Sequence, residues 1–113
     1  MDIDQIWELE RRFWLEGVSV YDAHLHRDAC IIFPGMGILD RAAVLDSLSD
    51  APRWTHVDMC GRQVVDAREV IFIAYVAIAR RGDSQPYRGF CGSTYIRKGG
   101  EPIMIAHQQT PMD

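Results

Sequence analysis

Lysine is all but missing from this 113-residue chain: Lys98 stands alone beside eleven arginines. The 12 basic residues are scattered apart from short pairs, and 16 acidic ones outweigh them to a formal charge of −4. An acidic chain without a basic stripe excludes a nucleic-acid arm. Long apolar runs are missing too. Val70–Ala79 is the longest, and its span of about ten residues is half what a bilayer requires, so neither nucleic acid nor membrane is an expected partner. The first residues, Met1-Asp-Ile-Asp-Gln5, have no positive n-region and no apolar h-region, so no signal peptide is expected and the chain reads as cytoplasmic.

Cysteine is scarce. Cys30, Cys60 and Cys91 are odd in number, far apart and form no CxxC, which argues against a disulfide framework and a zinc knuckle. Three reduced, packed thiols are the expectation. GxSxG, P-loop and GxGxxG patterns are absent, so serine-hydrolase, nucleotide-hydrolase and dinucleotide roles have no support. What is present is an ordinary globular mixture, 48% hydrophobic and 25% charged. A chain of this length fits one domain, residues 1–113, with a core of its own.

Helices come first along the chain. Asp2 to about Glu16 reads as an amphipathic helix, capped by Asp2 or Asp4 and stopped at Gly17. Ile3, Ile6, Trp7, Phe13 and Trp14 fall on one face at about 100° per residue. Glu10 falls in the middle of that same face. Ser19–Asp22 has the form of a capping box, opening a second helix to about Leu25 with Val18, Tyr21 and Leu25 inward. Ala29–Phe33 reads as a buried strand. Gly35 and Gly37 punctuate a loop, and Asp40 caps a third helix to about Leu48.

Strands follow. Trp54–Cys60 alternates, with Gly61 as a bulge before Gln63–Val65. Val70–Arg80 has the apolar content of a central strand covered on both faces. Tyr87–Arg97 and Pro102 to about Gln109 complete an antiparallel meander. Helices segregated from such a meander predict an α+β domain. Gly61, Gly89 and Gly92 lie where a strongly curved sheet needs relief. Helices closing its concave side would leave a cavity suited to a small apolar ligand with a few polar anchors.

Several stretches resemble a known family: Glu10-Arg-Arg-Phe-Trp14, Phe33-Pro-Gly-Met-Gly37, Pro52-Arg-Trp54, Tyr75 with Ala79-Arg-Arg81, Ser93-Thr-Tyr-Ile-Arg97 and His107-Gln-Gln-Thr-Pro111. Together with the element order they resemble the NTF2-like superfamily, and most of all its DUF4440 or SnoaL-like branch. The resemblance covers essentially the whole chain. It implies a cone, a curved antiparallel sheet with N-terminal helices over its concave face, and a homodimer formed through the sheet's outer face. The apolar character of both faces of the Val70 and Tyr87 strands points the same way. The superfamily also includes ketosteroid isomerases and polyketide cyclases that work with a pocket Asp or an Asp–His pair. His56 and Asp58 are the nearest residues in type, without alignment to those positions.

The candidate chemistry follows from these placements. Glu10 admits two readings: a carboxylate with a raised pKa acting as acid or base, or a structural ion pair with an arginine such as Arg81. His107 and Gln109 alternate with Ile103 and Ile105 and so are expected to share their face. Either they anchor a ligand or His107 is satisfied within the sheet. Tyr75, Ser93 and Tyr95 offer hydroxyls inward. Trp14, Tyr21, Phe33, Trp54 and Tyr75 are expected as an aromatic wall. His24 and His26, two apart on a helix, point to different sides and would not grip one ion unless the stretch were extended. No metal and no cofactor is called for. The expected partner is a small apolar or aromatic molecule. Glu10, His56, Asp58 or His107 would serve as base if the domain is a cofactor-free proton-transfer enzyme. A dimerisation module without a ligand is the third possibility.

Overall fold

Asp2 opens helix α1 (Ile3–Leu15): its side chain accepts from the Gln5 backbone while the Gln5 side chain accepts from the Asp2 backbone, a complete capping box. The computed structural model describes residues 2–112, with the backbone alone at Lys98. α1 buries Ile6, Trp7, Leu9, Glu10, Phe13 and Trp14, the face that helical spacing predicts.

Helix α2 (Val18–His24) departs from expectation. Gly17 precedes it with no side-chain cap, so the Ser19–Asp22 box does not form. Val20 is buried with Tyr21, and Val18 is exposed. The chain turns extended at Leu25, so strand β1 runs Leu25–Phe33 and takes in His26. A three-residue strand β2 (Gly37–Leu39) replaces part of the expected loop and pairs antiparallel with β1. Helix α3 (Arg41–Leu48) begins at Asp40, whose side chain accepts from Ala43. Arg41 ties α3 to α2, meeting the Asp22 carboxylate at 2.8 Å and the Leu25 carbonyl at 3.2 Å.

Four long strands follow: β3 (His56–Asp66), β4 (Val70–Arg80), β5 (Tyr87–Lys98) and β6 (Glu101–Pro111). Consecutive pairs are antiparallel hairpins. Gly99 and Gly100, both at positive φ (64° and 85°), form the tight turn between β5 and β6. β6 also pairs with β1 in parallel, giving a six-stranded sheet of order β2-β1-β6-β5-β4-β3. The architecture is α+β, with helices over the concave face of a curved, unclosed, mostly antiparallel sheet.

Two irregularities aim side chains. The register of β3 slips between Cys60 and Gln63 at Gly61, which has φ 59°, the bulge expected there. The register of β6 against β5 slips between Thr94 and Tyr95, leaving Ile105 without an opposite number. This second bulge flips the alternation. Met104 and His107 both face the core, and Ile103 and Ile105 do not share the His107 face as strict alternation predicts. Gly92 has a different use. A Cβ there would stand 3.0 Å from the Phe72 ring, which lies across the strand.

The cysteines also differ from expectation, since Cys30 and Cys60 are exposed and Cys91 alone is packed. Burial pushes the Cys91 thiol up to about 12, with Glu10 adding to the shift. The arginine excess has a structural use. Arg11, Arg41, Arg53, Arg62 and Arg97 each donate to a backbone carbonyl, which the broad guanidinium fork does better than an ammonium.

Candidate functional site: a buried carboxylate beneath an aromatic cavity

Glu10 has no exposed surface. A carboxylate so placed must be hydrogen-bonded on both oxygens, and here hydroxyls do it rather than Arg81. Tyr95 donates to Oε1 at 2.5 Å. Ser93 donates to Oε2 at 2.7 Å, and the Tyr75 hydroxyl donates to the same oxygen. The direction at Tyr75 is forced. Trp14 Nε1, which can only donate, reaches the Tyr75 oxygen at 2.9 Å, so the tyrosine proton goes to Glu10. Three hydroxyl donors converge on a group that, when ionised, only accepts.

His107 extends the network. Its Nδ1 lies 2.6 Å from Ser93 Oγ and 3.5 Å from Glu10 Oε2. Because Ser93 gives its proton to Glu10, Nδ1 carries the hydrogen. Nε2 is left to accept from the Gln109 amide at 3.0 Å. Burial lowers the His107 pKa, against the opposing pull of Glu10, so the imidazole is neutral near pH 7. Serine stands between acid and imidazole, fully buried. This is not the order of a nucleophilic triad, in which the base takes the serine's proton and the serine faces substrate.

The fold keeps this imidazole neutral at pH values where an unfolded chain's would be charged. The stability involved is whole above pH 6.5, the ordinary histidine value, and is lost as pH falls below it. Thermal unfolding followed by circular dichroism should show Tm falling from pH 7 to 5, with His107→Gln flattening that part of the profile. An unchanged profile in the variant would exclude His107 as the cause.

Above the network opens a cavity of about 320 Å³. Its walls include Phe13, Trp14, Tyr21, Phe33, Trp54 and Tyr87, with Glu10, His107 and Gln109 at its polar end. Trp14 and Trp54 meet edge to face at 5.7 Å, and Tyr87 lies 5.7 Å from Trp54. Phe33 meets His107 at 6.1 Å. Seven of the expected wall and anchor residues, Glu10, Trp14, Tyr21, Phe33, Trp54, His107 and Gln109, therefore line one space. Tyr75, Ser93 and Tyr95 do not line it. They sit behind Glu10 and hold it, because inward positions at mid-strand lie beneath α1.

His56 and Asp58 are elsewhere. They pair at 3.2 Å on an exposed stretch of β3, each more than half exposed, because Val57 and Met59 take the inward positions. His26 Nδ1 accepts from the Asp28 backbone. Among the described residues no group of three His, Cys, Asp or Glu side chains could hold a metal, and no helix is long and apolar enough to cross a membrane.

Sequence reasoning missed Tyr87 and Arg53, and gave Arg81 a different role, as a partner for Glu10. Tyr87 was within reach by extending the inward alternation of Gly89, Cys91, Ser93 and Tyr95. Its hydroxyl is buried without a hydrogen-bond partner among the described residues. Arg53 and Arg81 come from loops and carry no periodic signal. Arg53 donates to the carbonyls of Phe13, Trp14 and Glu16, closing the C-terminal end of α1. Arg81 lays its guanidinium 3.9 Å from the Trp54 ring centroid.

Compared by sequence, the chain matches no family model and no curated protein. Compared by structure, it resembles many solved proteins. One is a protein from Parabacteroides distasonis described as a presumed ketosteroid isomerase, at 14% identity and TM-score 0.86, covering 99% of this chain and 89% of that one. Another is an NTF2-like protein from Cytophaga hutchinsonii, at 13% identity and TM-score 0.83, covering 99% and 100%. A third is the association domain of C. elegans CaMKII, at 14% identity and TM-score 0.76, covering 96% and 91%. The fold is the NTF2-like cone.

Proposed function

We propose that residues 1–113 form one small-molecule-binding NTF2-like domain, cytoplasmic and cofactor-free, that works as a homodimer. The observation that carries this reading is the cavity of about 320 Å³, aromatic on its walls and polar at its Glu10–His107–Gln109 end. The space left between Trp14, Trp54 and Tyr87 supports this reading over an assembly-only module, whose cone its own side chains would fill. The finer placement in the DUF4440 or SnoaL-like branch rests on the sequence stretches quoted above. The test is native mass spectrometry of the protein isolated from its own host. A dimer retaining a small organic molecule is expected. Protein that emerges only as unliganded monomer would overturn both commitments.

The dimer reading rests on the convex face of the sheet. Phe90 is 55% and Phe72 40% exposed there, beside a groove that also takes in Cys30, Ile32 and Thr94. An apolar strip across a broad sheet is what a second protein surface covers. The CaMKII association domain among the structural neighbours supports assembly by this fold. Phe90→Asp should convert the dimer to monomer in sedimentation equilibrium while leaving the circular dichroism spectrum unchanged. A dimer that persists in the variant would place the interface elsewhere.

A second reading, proton transfer of the isomerase, cyclase or dehydratase kind, has its own support. His107 is neutral, borders the cavity, and has Ser93 and Glu10 behind Nδ1 to stabilise the cation formed when Nε2 takes a proton. For that step Gln109 must first yield Nε2.

A further inference from the structure

The rim and the floor of the cavity carry opposite electrostatic character. At the floor, the Glu10 carboxylate lies behind a neutral His107, so no cation waits there for a ligand. At the rim, Arg53 and Arg81 both line the opening. Elsewhere, arginines near acids are paired with them: Arg12 with Glu16, Arg27 with Asp28, Arg41 with Asp22 and Arg97 with Asp66. Among the described residues neither Arg53 nor Arg81 forms an ion pair. Arg53 uses Nε and Nη2 on the end of α1 and lies beside Tyr21, so its charge stands at the cavity while its hydrogen bonds serve the fold. The Arg81 guanidinium makes no hydrogen bond among the described residues and lies over the Trp54 ring, 3.9 Å from its centroid. A cation held over a ring face keeps its N–H donors available to a ligand. Partial burial and the Arg53 charge hold the Arg81 pKa below the usual arginine value, as expected of two like charges with no acid between them.

We propose, building on the ligand-binding reading, that the cavity takes a small amphipathic monocarboxylate, its carboxylate held at the rim by Arg81 and Arg53 and its aromatic or alicyclic body enclosed by Trp14, Trp54 and Tyr87. The orientation follows from charge. The Glu10 end repels an anion, and the aromatic walls between floor and rim accept an apolar body. The unpaired Arg81 fork, with the Arg53 charge beside it, suits a carboxylate. A pocket for a purely neutral apolar molecule would have no use for two unpaired cations at its mouth.

The test uses the full-length protein and three probes: 3-phenylpropanoate, 3-phenylpropanamide and propanoate, followed by tryptophan fluorescence and calorimetry at low salt. The phenylpropanoate should bind about tenfold more tightly than the amide, the ratio expected for a charge-assisted contact at a partly exposed site. Propanoate, lacking the ring, should bind more weakly than either. Arg81→Gln should cut the preference for the acid over the amide severalfold, the Arg53 charge supporting what is left. In the unmodified protein the preference for the acid should shrink as salt rises, a check that needs no variant. Equal affinity of acid and amide, or a preference that survives both Arg81→Gln and high salt, would overturn the carboxylate assignment and leave the ligand-binding reading standing. Failure of acid and amide alike to bind folded protein would overturn both.

Discussion

Glu10→Ala should destabilise the protein by roughly 4 kcal/mol or more, lowering Tm on the order of 15 °C. The substitution strips the common acceptor from Tyr75, Ser93 and Tyr95 at once. Each is buried, and a buried hydroxyl left without its partner costs about 1–3 kcal/mol. The void beneath α1 adds to the loss. Glu10→Gln should cost far less, about 1–2 kcal/mol. An amide oxygen in the Oε2 position still accepts from Tyr75 and Ser93, and Tyr95, bound to nothing else, can turn to accept from the amide nitrogen. Denaturant unfolding of both variants makes the comparison, and a double-mutant cycle with Tyr95→Phe should reveal strong coupling between positions 10 and 95. Equal losses for alanine and glutamine would mean that the hydroxyl network contributes little and that packing dominates.

The second large effect lies at high pH. The chain has four tyrosines, and each has its pKa raised. Burial is the leading cause throughout, with the Glu10 charge next for Tyr75 and Tyr95. Tyr21 and Tyr87 are pushed up to about 12, and Tyr75 and Tyr95 well above their ordinary value. The native protein should therefore show almost no tyrosinate absorbance at pH 10, where free tyrosine is half ionised. The fold retains protons that the unfolded chain releases above that pH. Stability is therefore whole below pH 10 and falls as pH rises toward 12. For the three enclosed tyrosines, 21, 75 and 95, the loss is on the order of 4 kcal/mol per pH unit. Tyr87, with its ring partly open to solvent, contributes less. Such a slope consumes the stability of a small domain within about two units, so tyrosine ionisation and loss of circular dichroism should coincide. Stepwise ionisation of a still-folded protein near pH 10 would contradict the enclosed network.

These effects trace to a residue that the sequence itself marks as odd. Glu10 interrupts an aromatic stripe at a position fixed by 100° steps along α1, so its burial was readable from spacing alone. The cap at Asp2, the Asp40 start of α3, the Gly61 bulge and the bounds of β4 were readable for the same reason: each is written within a few neighbouring residues. The partners of Glu10 were not. Tyr75, Ser93 and Tyr95 lie 65 or more positions away, and only sheet register brings them to one oxygen pair. The Ile105 bulge escaped because Ile103-Met-Ile-Ala106 is apolar at every position, so no alternation marks where it breaks. The same limit applies to Arg53 and Arg81, loop residues whose proximity depends on how β3 and β4 are offset. His56 and Asp58 show the reverse error, since a residue pair chosen by chemical type alone fell on the solvent side of its strand.

The parallel pairing of β6 with β1 has a consequence for how the chain acquires this form. β6 is an inner strand, joining β1 and β2 to the block of β3, β4 and β5. It also delivers His107 and Gln109 to the cavity. A fragment ending before residue 101 would leave two separated ribbons and a half-built binding chamber. The sheet is therefore complete only with residues 101–111 in place, and a synthetic peptide of that stretch added to the remainder is the natural means of following the closure.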